Sequence, residues 1–132
     1  MRGPVLAAFV LAAGCAAPRE ARMSGDNAGR LRHVVLFKFK DGAPAEAVAQ
    51  IEREFALLKD RIPGIRAFEW GTNVSPEKLD QGFTHCFVAT FDDAAARDAY
   101  LPHPAHKAFV DLLKPHLEKA LVVDYVARET AP

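Results

Sequence analysis

Three side chains that can exchange protons lie within seven residues of one another: Tyr100, His103 and His106. Two prolines, Pro102 and Pro104, stand between them. Each proline fixes its own φ and pushes the preceding residue toward extended geometry, so the segment predicts a rigid elbow between two helices. Imidazole titrates near neutral pH, and a phenol can donate a hydrogen bond to a carbonyl oxygen. The elbow is therefore the first candidate for a site that carries chemistry.

Two interpretations of the elbow stay open. In the first, His106 is a general base that removes a proton beside a carbonyl group, and Tyr100 stabilises the resulting enolate. In the second, both side chains only tie the elbow to the strands, because buried polar groups need hydrogen-bond partners in any protein. The same choice applies to His33 and His85, which are either pocket residues or satisfied core histidines. No metal or other cofactor is expected, because the sequence has no cysteine pair, no His-Glu-x-x-His and no Gly-rich phosphate loop.

The patterns around these residues predict the elements that position them. Alternation over Arg32–Lys40 predicts a strand, and apolar residues from Val48 to Ile62 recur at helical spacing, which predicts an amphipathic helix over Ala45–Arg61. Three more strands are predicted, over Ile65–Asn73, Thr84–Phe91 and Leu121–Arg128. A helix capped by Asp92 should lead to Tyr100. After the elbow, helical spacing continues to Leu117 but is interrupted by Pro115.

The element order β-α-β-β-α-(α)-β predicts an α+β, ferredoxin-like fold, in which an antiparallel four-stranded sheet carries its helices on one face. Four residues should face those helices, namely His33, Phe37, His85 and Phe87. We expect them to meet the elbow in one apolar pocket, which is the usual setting of a small-molecule site.

The opposite face of the sheet should be apolar and uncovered. Its expected members are Leu36, Cys86 and Val88, joined by residues from the alternating sets of Trp70 or Val122. Because such a face is unfavourable in water, a second copy of the chain is expected to cover it, which predicts a homodimer. Cys86 is thus interpreted as an interface residue and not as a nucleophile.

Length and charge restrict the function classes. A chain of 132 residues suits one domain, and its 17 basic side chains equal its 17 acidic ones. Phosphate binding needs clustered positive charge, and no basic stripe is present, so nucleic acid is not an expected partner.

The first fifteen residues differ from the rest of the chain. Arg2 precedes an apolar run from Pro4 to Ala13 that is too short to span a bilayer, and the run is followed by Gly14-Cys15. This segment resembles the lipobox of bacterial lipoproteins, which implies a signal peptide over residues 1–14 and acylation of Cys15. A flexible tether over residues 15–31 would then join the lipid to a domain at 32–128. The expected location is the bacterial cell envelope, with the domain held at the membrane outside the cytoplasm; an ordinary secretion signal is the alternative.

Four segments together resemble one protein family over roughly Arg32 to Arg128. They are His33-Val-Val-Leu-Phe-Lys-Phe-Lys40, Trp70-Gly71, Gly82-Phe83-Thr84-His85 and Tyr100-Leu-Pro-His-Pro-Ala-His106-Lys-Ala-Phe109. The family is the stress-responsive dimeric α/β-barrel (Dabb) domain. The resemblance implies a dimer whose two sheets close into a barrel. It also implies that Tyr100 and His106 match the residues that carry the chemistry in a plant polyketide cyclase of the family, with His33 and His85 in the same pocket.

Two functions follow from these observations. In the first, a membrane-anchored domain binds a small apolar molecule without turnover in a pocket lined by His33, His85, Tyr100 and His106. Phe37, Phe87 and His103 are the further expected binding residues. In the second, a cyclase or lyase acts on a β-keto compound with His106 as base and Tyr100 as hydrogen-bond donor. Because thioester-borne polyketides are made in the cytoplasm, the expected location favours the first function.

Overall fold

A computed structural model describes residues 28–129. The elements are β1 (Leu31–Phe39), α1 (Ala45–Arg61), β2 (Ile65–Thr72), β3 (His85–Phe91), α2 (Ala94–Tyr100), α3 (Pro104–Leu113) and β4 (Leu117–Val126). The four strands form one antiparallel sheet in the order β2-β3-β1-β4. The predicted α+β, ferredoxin-like architecture is confirmed. The predicted signal peptide, Cys15 and tether residues 15–27 lie outside the described residues.

The ends of the helices follow from local sequence. Helix α1 turns Ile51, Phe55 and Leu58 into the core and ends before Pro63-Gly64. Asp93 caps α2 by accepting a hydrogen bond from the Ala96 amide at 2.9 Å. The cap expected at Asp92 is wrong, because that carboxylate instead accepts a hydrogen bond from Arg66 Nε at 2.7 Å.

The helical spacing that extends to Leu117 is also misleading. Helix α3 ends at Leu113, and Pro115 cannot continue it because a proline lacks the amide hydrogen that a helix interior requires. The Lys40 amide donates to the His116 carbonyl oxygen at 2.8 Å, and Leu117 already pairs with Phe39 in the sheet. Strand β4 therefore begins four residues earlier than the expected Leu121.

A register shift in β2 decides which of its residues face the helices. The pairing of β2 with β3 is irregular between Ile65 and Ala67, so Ile65 is buried while Ala67 is exposed. Trp70 pairs with Phe87 on the helix-covered face. Val122 pairs with Val35 on that same face. The assignment of the Trp70 and Val122 sets to the uncovered face is therefore wrong.

The two faces of the sheet differ sharply in burial. The helix-covered face contributes to a core whose largest fully buried side chains are Tyr100, Phe87, Phe91, Ile51 and Leu58. The other face, called the open face below, carries Leu36, Cys86 and Val88 as predicted, together with Leu121, Val123 and Tyr125 of β4. The three β4 side chains are 43–50% exposed. Within the described residues, no helix is long and apolar enough to cross a membrane.

Candidate functional site

The elbow forms as the two prolines predict. Helix α2 ends at Tyr100, and Pro104 occupies the first turn of α3. His103 caps α3, since its Nδ1 accepts a hydrogen bond from the Ala105 amide at 3.1 Å. The His103 amide also donates to the Tyr100 carbonyl oxygen at 3.0 Å. These bonds fix the position of the half-buried His106 in the first turn of α3.

Tyr100 lies at the centre of the elbow with its side chain completely buried. Its ring centroid lies 4.3 Å from that of His106 and 5.7 Å from that of His33. Within residues 28–129, its hydroxyl has no hydrogen-bond partner. Burial raises the pKa of Tyr100 well above its ordinary value, and the nearby carboxylate of Asp124 raises it further. The phenol is therefore a protonated donor that lacks an acceptor.

The tautomer of His106 is fixed by its partner. Its Nδ1 lies 2.9 Å from the Leu101 carbonyl oxygen, which can only accept, so Nδ1 carries the hydrogen. Burial lowers the pKa of His106, the bond to Leu101 opposes that shift, and His33 and His103 add to it. His106 is thus a neutral imidazole whose Nε2 has a lone pair available to accept a proton.

A third imidazole is held against this pair by β4. His33 pairs with Asp124 in the sheet register, and its Nδ1 donates to Asp124 Oδ1 at 2.7 Å. Arg97 of α2 donates to the other carboxylate oxygen. We call His33, Arg97, Tyr100, His106 and Asp124 the elbow cluster. The signal that would have singled out Asp124 in the sequence is its place as a lone charge in the apolar run Leu121–Val126.

His85 belongs to a different group. Its Nε2 donates to Glu52 Oε1 at 2.9 Å, and its Nδ1 lies 2.8 Å from Thr84 Oγ1. We call Glu52, Thr84 and His85 the rim cluster. His85 pairs with Phe37, which is four residues beyond His33 on β1, so the two histidines lie about 13 Å apart along the sheet. The structure thus brings His33 to the elbow and places His85 in a separate hydrogen-bonded group; that the four residues share one pocket stays a prediction.

A pocket of about 480 Å³ lies beside the rim cluster on the open face of the sheet, where Leu36, Cys86 and Val88 are part of its lining. Its lining includes Leu36, Trp70, Phe83, Thr84, His85 and Cys86, and excludes His33, Tyr100 and His106. Phe37 and Phe87, which were expected to line a pocket, are 2% and 0% exposed and pack in the core instead. Among residues 28–129, no group of His, Cys, Asp and Glu side chains could hold a metal ion.

Comparison with known proteins identifies the family. Residues 31–127 match the model of the stress-responsive A/B barrel domain. The chain belongs to this family. It is 41% identical over 97 residues to the stress-response A/B barrel domain-containing protein HS1 of Arabidopsis thaliana, a match that covers 74% of this chain and 89% of that protein. Olivetolic acid cyclase of Cannabis sativa is 29% identical over 99 residues, which is 75% of this chain and 98% of the cyclase.

Solved structures agree with this family assignment. Hydroxynitrile lyase from Passiflora edulis superimposes with a TM-score of 0.72 at 28% identity, covering 78% of this A/B barrel chain and 97% of the lyase. A dimeric protein with a ferredoxin-like fold from Bacteroides fragilis gives a TM-score of 0.62 at 29% identity, with 75% and 97% covered. The family resemblance drawn from the four sequence segments is therefore confirmed.

Proposed function

We propose that this A/B barrel protein binds a small carbonyl compound at the elbow cluster and performs lyase-type or cyclase-type proton transfer on it. The observation that carries the proposal is the Tyr100 hydroxyl, which is buried and has no hydrogen-bond partner among the residues that the structure describes. A buried hydroxyl that lacks a hydrogen bond costs about 1–3 kcal/mol. The carbonyl oxygen of a bound ligand would supply the missing acceptor.

The two elbow side chains suit opposite halves of one reaction. His106 Nε2 takes a proton from the carbon next to the carbonyl group, and the electrons of that bond move to the carbonyl oxygen. The Tyr100 hydroxyl then donates to this enolate oxygen, where the developing charge strengthens the bond. In an intramolecular aldol condensation, the enolate carbon attacks a second carbonyl of the same molecule, and the new alkoxide takes the proton back from His106. The hydroxyl formed then leaves as water together with a second proton from the same α-carbon. His33, oriented by Asp124, forms a second polar wall beside the phenol.

The names of two relatives support this class of reaction. One is a cyclase and the other is a lyase, and this chain matches nearly the whole length of each relative. The neutral tautomer of His106 and the protonated phenol of Tyr100 are the states that the mechanism needs. The support therefore comes from the geometry of this chain as well as from the comparison.

Rates measured with two probe substrates test the proposal. In a cyanohydrin, His106 would take the hydroxyl proton as cyanide leaves, and the aldehyde released absorbs ultraviolet light. A β-keto thioester with a further ketone loses water on ring closure, and mass spectrometry detects that loss. We expect Tyr100→Phe and His106→Gln each to lower the rate by about 100-fold, the usual contribution of one acid–base group. Matched controls are Tyr125→Phe on the open face and His116→Gln near the start of β4, each expected to stay within about twofold. Unchanged rates in both elbow variants would exclude the mechanism.

A second candidate is ligand binding without turnover. It is favoured by the complete burial of Tyr100, since the pocket that the fold holds open adjoins the rim cluster instead. The ligand would be small and apolar, because Leu36, Trp70 and Phe83 line this pocket. An aryl ketone that raises the thermal unfolding temperature of the wild type, but not of Trp70→Ala, would support binding at this place. If the ketone does not shift the unfolding temperature, the elbow cluster remains as the candidate binding site.

We also propose that the open face pairs with the same face of a second copy. Exposed Leu121, Val123 and Tyr125 leave an apolar surface uncovered, and a relative from Bacteroides fragilis is dimeric. Val123→Asp should produce a monomer in analytical ultracentrifugation, because pairing would bury two unpartnered carboxylates in each dimer. The control is Val74→Asp in the exposed loop after β2, which should leave the mass unchanged.

Attachment of the domain to the envelope membrane through an acylated Cys15 is part of the same proposal. It is supported by the lipobox-like sequence that precedes Cys15. Intact mass spectrometry of native protein should show a chain that begins at Cys15 and carries acyl groups. A chain that begins elsewhere, without acyl groups, would exclude the anchor.

A further inference from the structure

Arg97 joins the two sides of the elbow cluster. It lies on α2 three residues before Tyr100, and residues three apart on a helix share a face. Its Nη1 donates to Asp124 Oδ2 on β4, and its Nε donates to Asp98 Oδ1 at 2.8 Å. The other oxygen of Asp124 accepts from His33 Nδ1 at 2.7 Å. One carboxylate is therefore held by a helix on one side and by the imidazole of a strand on the other.

The side chains in this chain of contacts are largely shielded from water. Those of Arg97 and Asp124 are 22% and 23% exposed, and that of His33 is 8% exposed. The ion pair of Arg61 with Glu54 is more open to solvent, at 46% and 32%. Charges that are partly removed from water act on one another more strongly than charges on the surface. The charges of Arg97 and Asp124 therefore influence the polar groups around them.

The charge of Asp124 is a disadvantage for the proposed reaction. Burial raises the pKa of Tyr100, and the nearby carboxylate of Asp124 raises it further, because a second negative charge beside it is unfavourable. Proton abstraction by His106 places a negative charge on the carbonyl oxygen to which the phenol donates. An uncompensated carboxylate at this place would raise the energy of the enolate.

Arg97 supplies the compensating charge. Given the proton transfer proposed at the elbow cluster, on which this assignment rests, we propose that Arg97 is a positioning residue that holds Asp124 against His33 and neutralises its charge. A guanidinium keeps its positive charge throughout the pH range in which proteins fold, and its planar fork suits a carboxylate. With Arg97 in place, Asp124 orients the imidazole without opposing the negative oxygen that forms beside Tyr100.

A purely structural role is the alternative, since the same ion pair ties α2 to β4. Arg97 and Asp98 are the only charged residues of α2, so the helix offers no second cation for this task. The two roles predict different results. Loss of a structural tie would weaken the binding of any ligand at the elbow. Loss of a compensating charge would weaken the binding of an anion and spare a neutral molecule of the same shape.

Binding of two probes to the full chain tests the assignment by equilibrium dialysis. At pH 8, 4-nitrophenolate carries its charge on an oxygen, as an enolate does, and 4-nitrotoluene is its neutral counterpart. Arg97→Leu should raise the Kd of the phenolate about 10-fold and leave that of 4-nitrotoluene within about twofold. Arg97→Lys restores the charge and should return the phenolate Kd to within about threefold of the wild type. Arg97→Gln keeps a hydrogen-bond donor without the charge and should not.

The matched control is Arg61→Leu. It removes an arginine that also pairs with a carboxylate, that of Glu54 at 2.6 Å, but lies outside the elbow cluster. The Kd of each probe should stay within about twofold of the wild-type value, because surface ion pairs contribute little. Tyr100→Phe should weaken the phenolate, since it removes the donor to its oxygen, and this shows that the anion binds at the elbow.

Three results would overturn the role of Arg97. The first is an equal loss of both probes in Arg97→Leu, which would make the ion pair a structural tie. The second is equal binding of the phenolate by Arg97→Lys and Arg97→Gln, a comparison that also decides if Arg97→Leu does not fold in urea titrations. The third is phenolate binding that does not depend on Tyr100, because no anion would then be stabilised at the elbow.

Turnover of the β-keto thioester separates this role from the proposed function. Arg97→Leu should lower kcat about 10-fold with KM within about twofold, because the compensating charge matters most when the enolate forms. Wild-type kcat in Arg97→Leu, with slow turnover in Tyr100→Phe, would overturn the role of Arg97 alone. Wild-type rates in Tyr100→Phe and His106→Gln would instead exclude the proposed reaction, while the two probes would still report whether Arg97 compensates Asp124.

Discussion

The elbow cluster and the rim cluster are built from similar side chains but differ in how far their polar groups are hydrogen-bonded. Both place a histidine of the sheet against a carboxylate, Asp124 in one case and Glu52 in the other. In the rim cluster, both nitrogens of His85 have partners, and a pocket lies next to them. In the elbow cluster, the Tyr100 hydroxyl is buried and has no hydrogen-bond partner within residues 28–129.

The difference shows what each region needs from a ligand. A ligand at the rim would meet groups that are already satisfied, so the site is preformed and binding requires little rearrangement. A ligand at the elbow would complete a bond that the protein leaves unmade, but the elbow must open to admit it. The elbow is thus a closed site that lacks one hydrogen bond, and the rim is an open one whose polar groups are paired.

The largest effect is expected from truncation of Tyr100. Tyr100→Ala should lower the free energy of unfolding by about 4 kcal/mol, because it leaves a cavity in the core. Tyr100→Phe should leave that free energy unchanged or raise it by about 1 kcal/mol, because it removes a hydroxyl that has no partner. Urea titrations measure both. A clear loss of stability in Tyr100→Phe would mean that the hydroxyl is already bonded.

Amide replacements compare the two carboxylates directly. Asp124→Asn should cost about 2 kcal/mol, mainly because it weakens a charge-assisted bond to the 6% exposed His33. Glu52→Gln should cost about 1 kcal/mol, since an amide oxygen can still accept from His85. Chemical denaturation of the two variants under the same conditions gives the order. The reverse order would make the rim, and not the elbow, the more tightly built region.

The smallest effect concerns the pH dependence that His106 gives to the elbow. Burial lowers the pKa of His106 below its ordinary value of 6.5, so the unfolded chain takes up a proton at higher pH than the folded one. The contribution to stability is therefore complete above pH 6.5 and is lost as pH falls from there toward the folded pKa. Urea titrations between pH 8 and pH 5 should show a smaller loss for His106→Gln than for the wild type. Equal losses would place His106 in water.

Much of the architecture could be predicted because it depends on periodic burial. The alternation of β1 and the apolar stripe of α1 each identify one element, and two prolines position the elbow. The predictions were wrong where a single local contact determines the facing or the start of a strand. A register shift after Ile65 reverses the facing of β2 residues, and the pairing of Leu117 with Phe39 overrides a helical spacing. Neither contact is visible in a hydrophobic pattern, since both depend on how strands align.

The geometry of the elbow was predicted for the same reason. Tyr100 and His106 were expected to adjoin because both lie on one rigid segment, and their ring centroids are 4.3 Å apart; their functional role stays a prediction. The separation of His33 from His85 was missed, because alternation gives the face of a residue but not its position along the neighbouring strand. Asp124 and Glu52 were missed because a lone carboxylate on an element is most often solvated, and only the fold shows the imidazole that it contacts.

Strand β4 lies at an edge of the sheet, and two of its consecutive residues have opposite tasks. Asp124 faces inward and orients His33, whereas Val123 faces outward on the surface that we expect a second copy to cover. An unpaired edge strand frays more readily than a covered one, so association would tighten the strand that holds the imidazole. Turnover at the elbow, measured per polypeptide, should consequently decline once the protein is diluted below the concentration at which its copies separate.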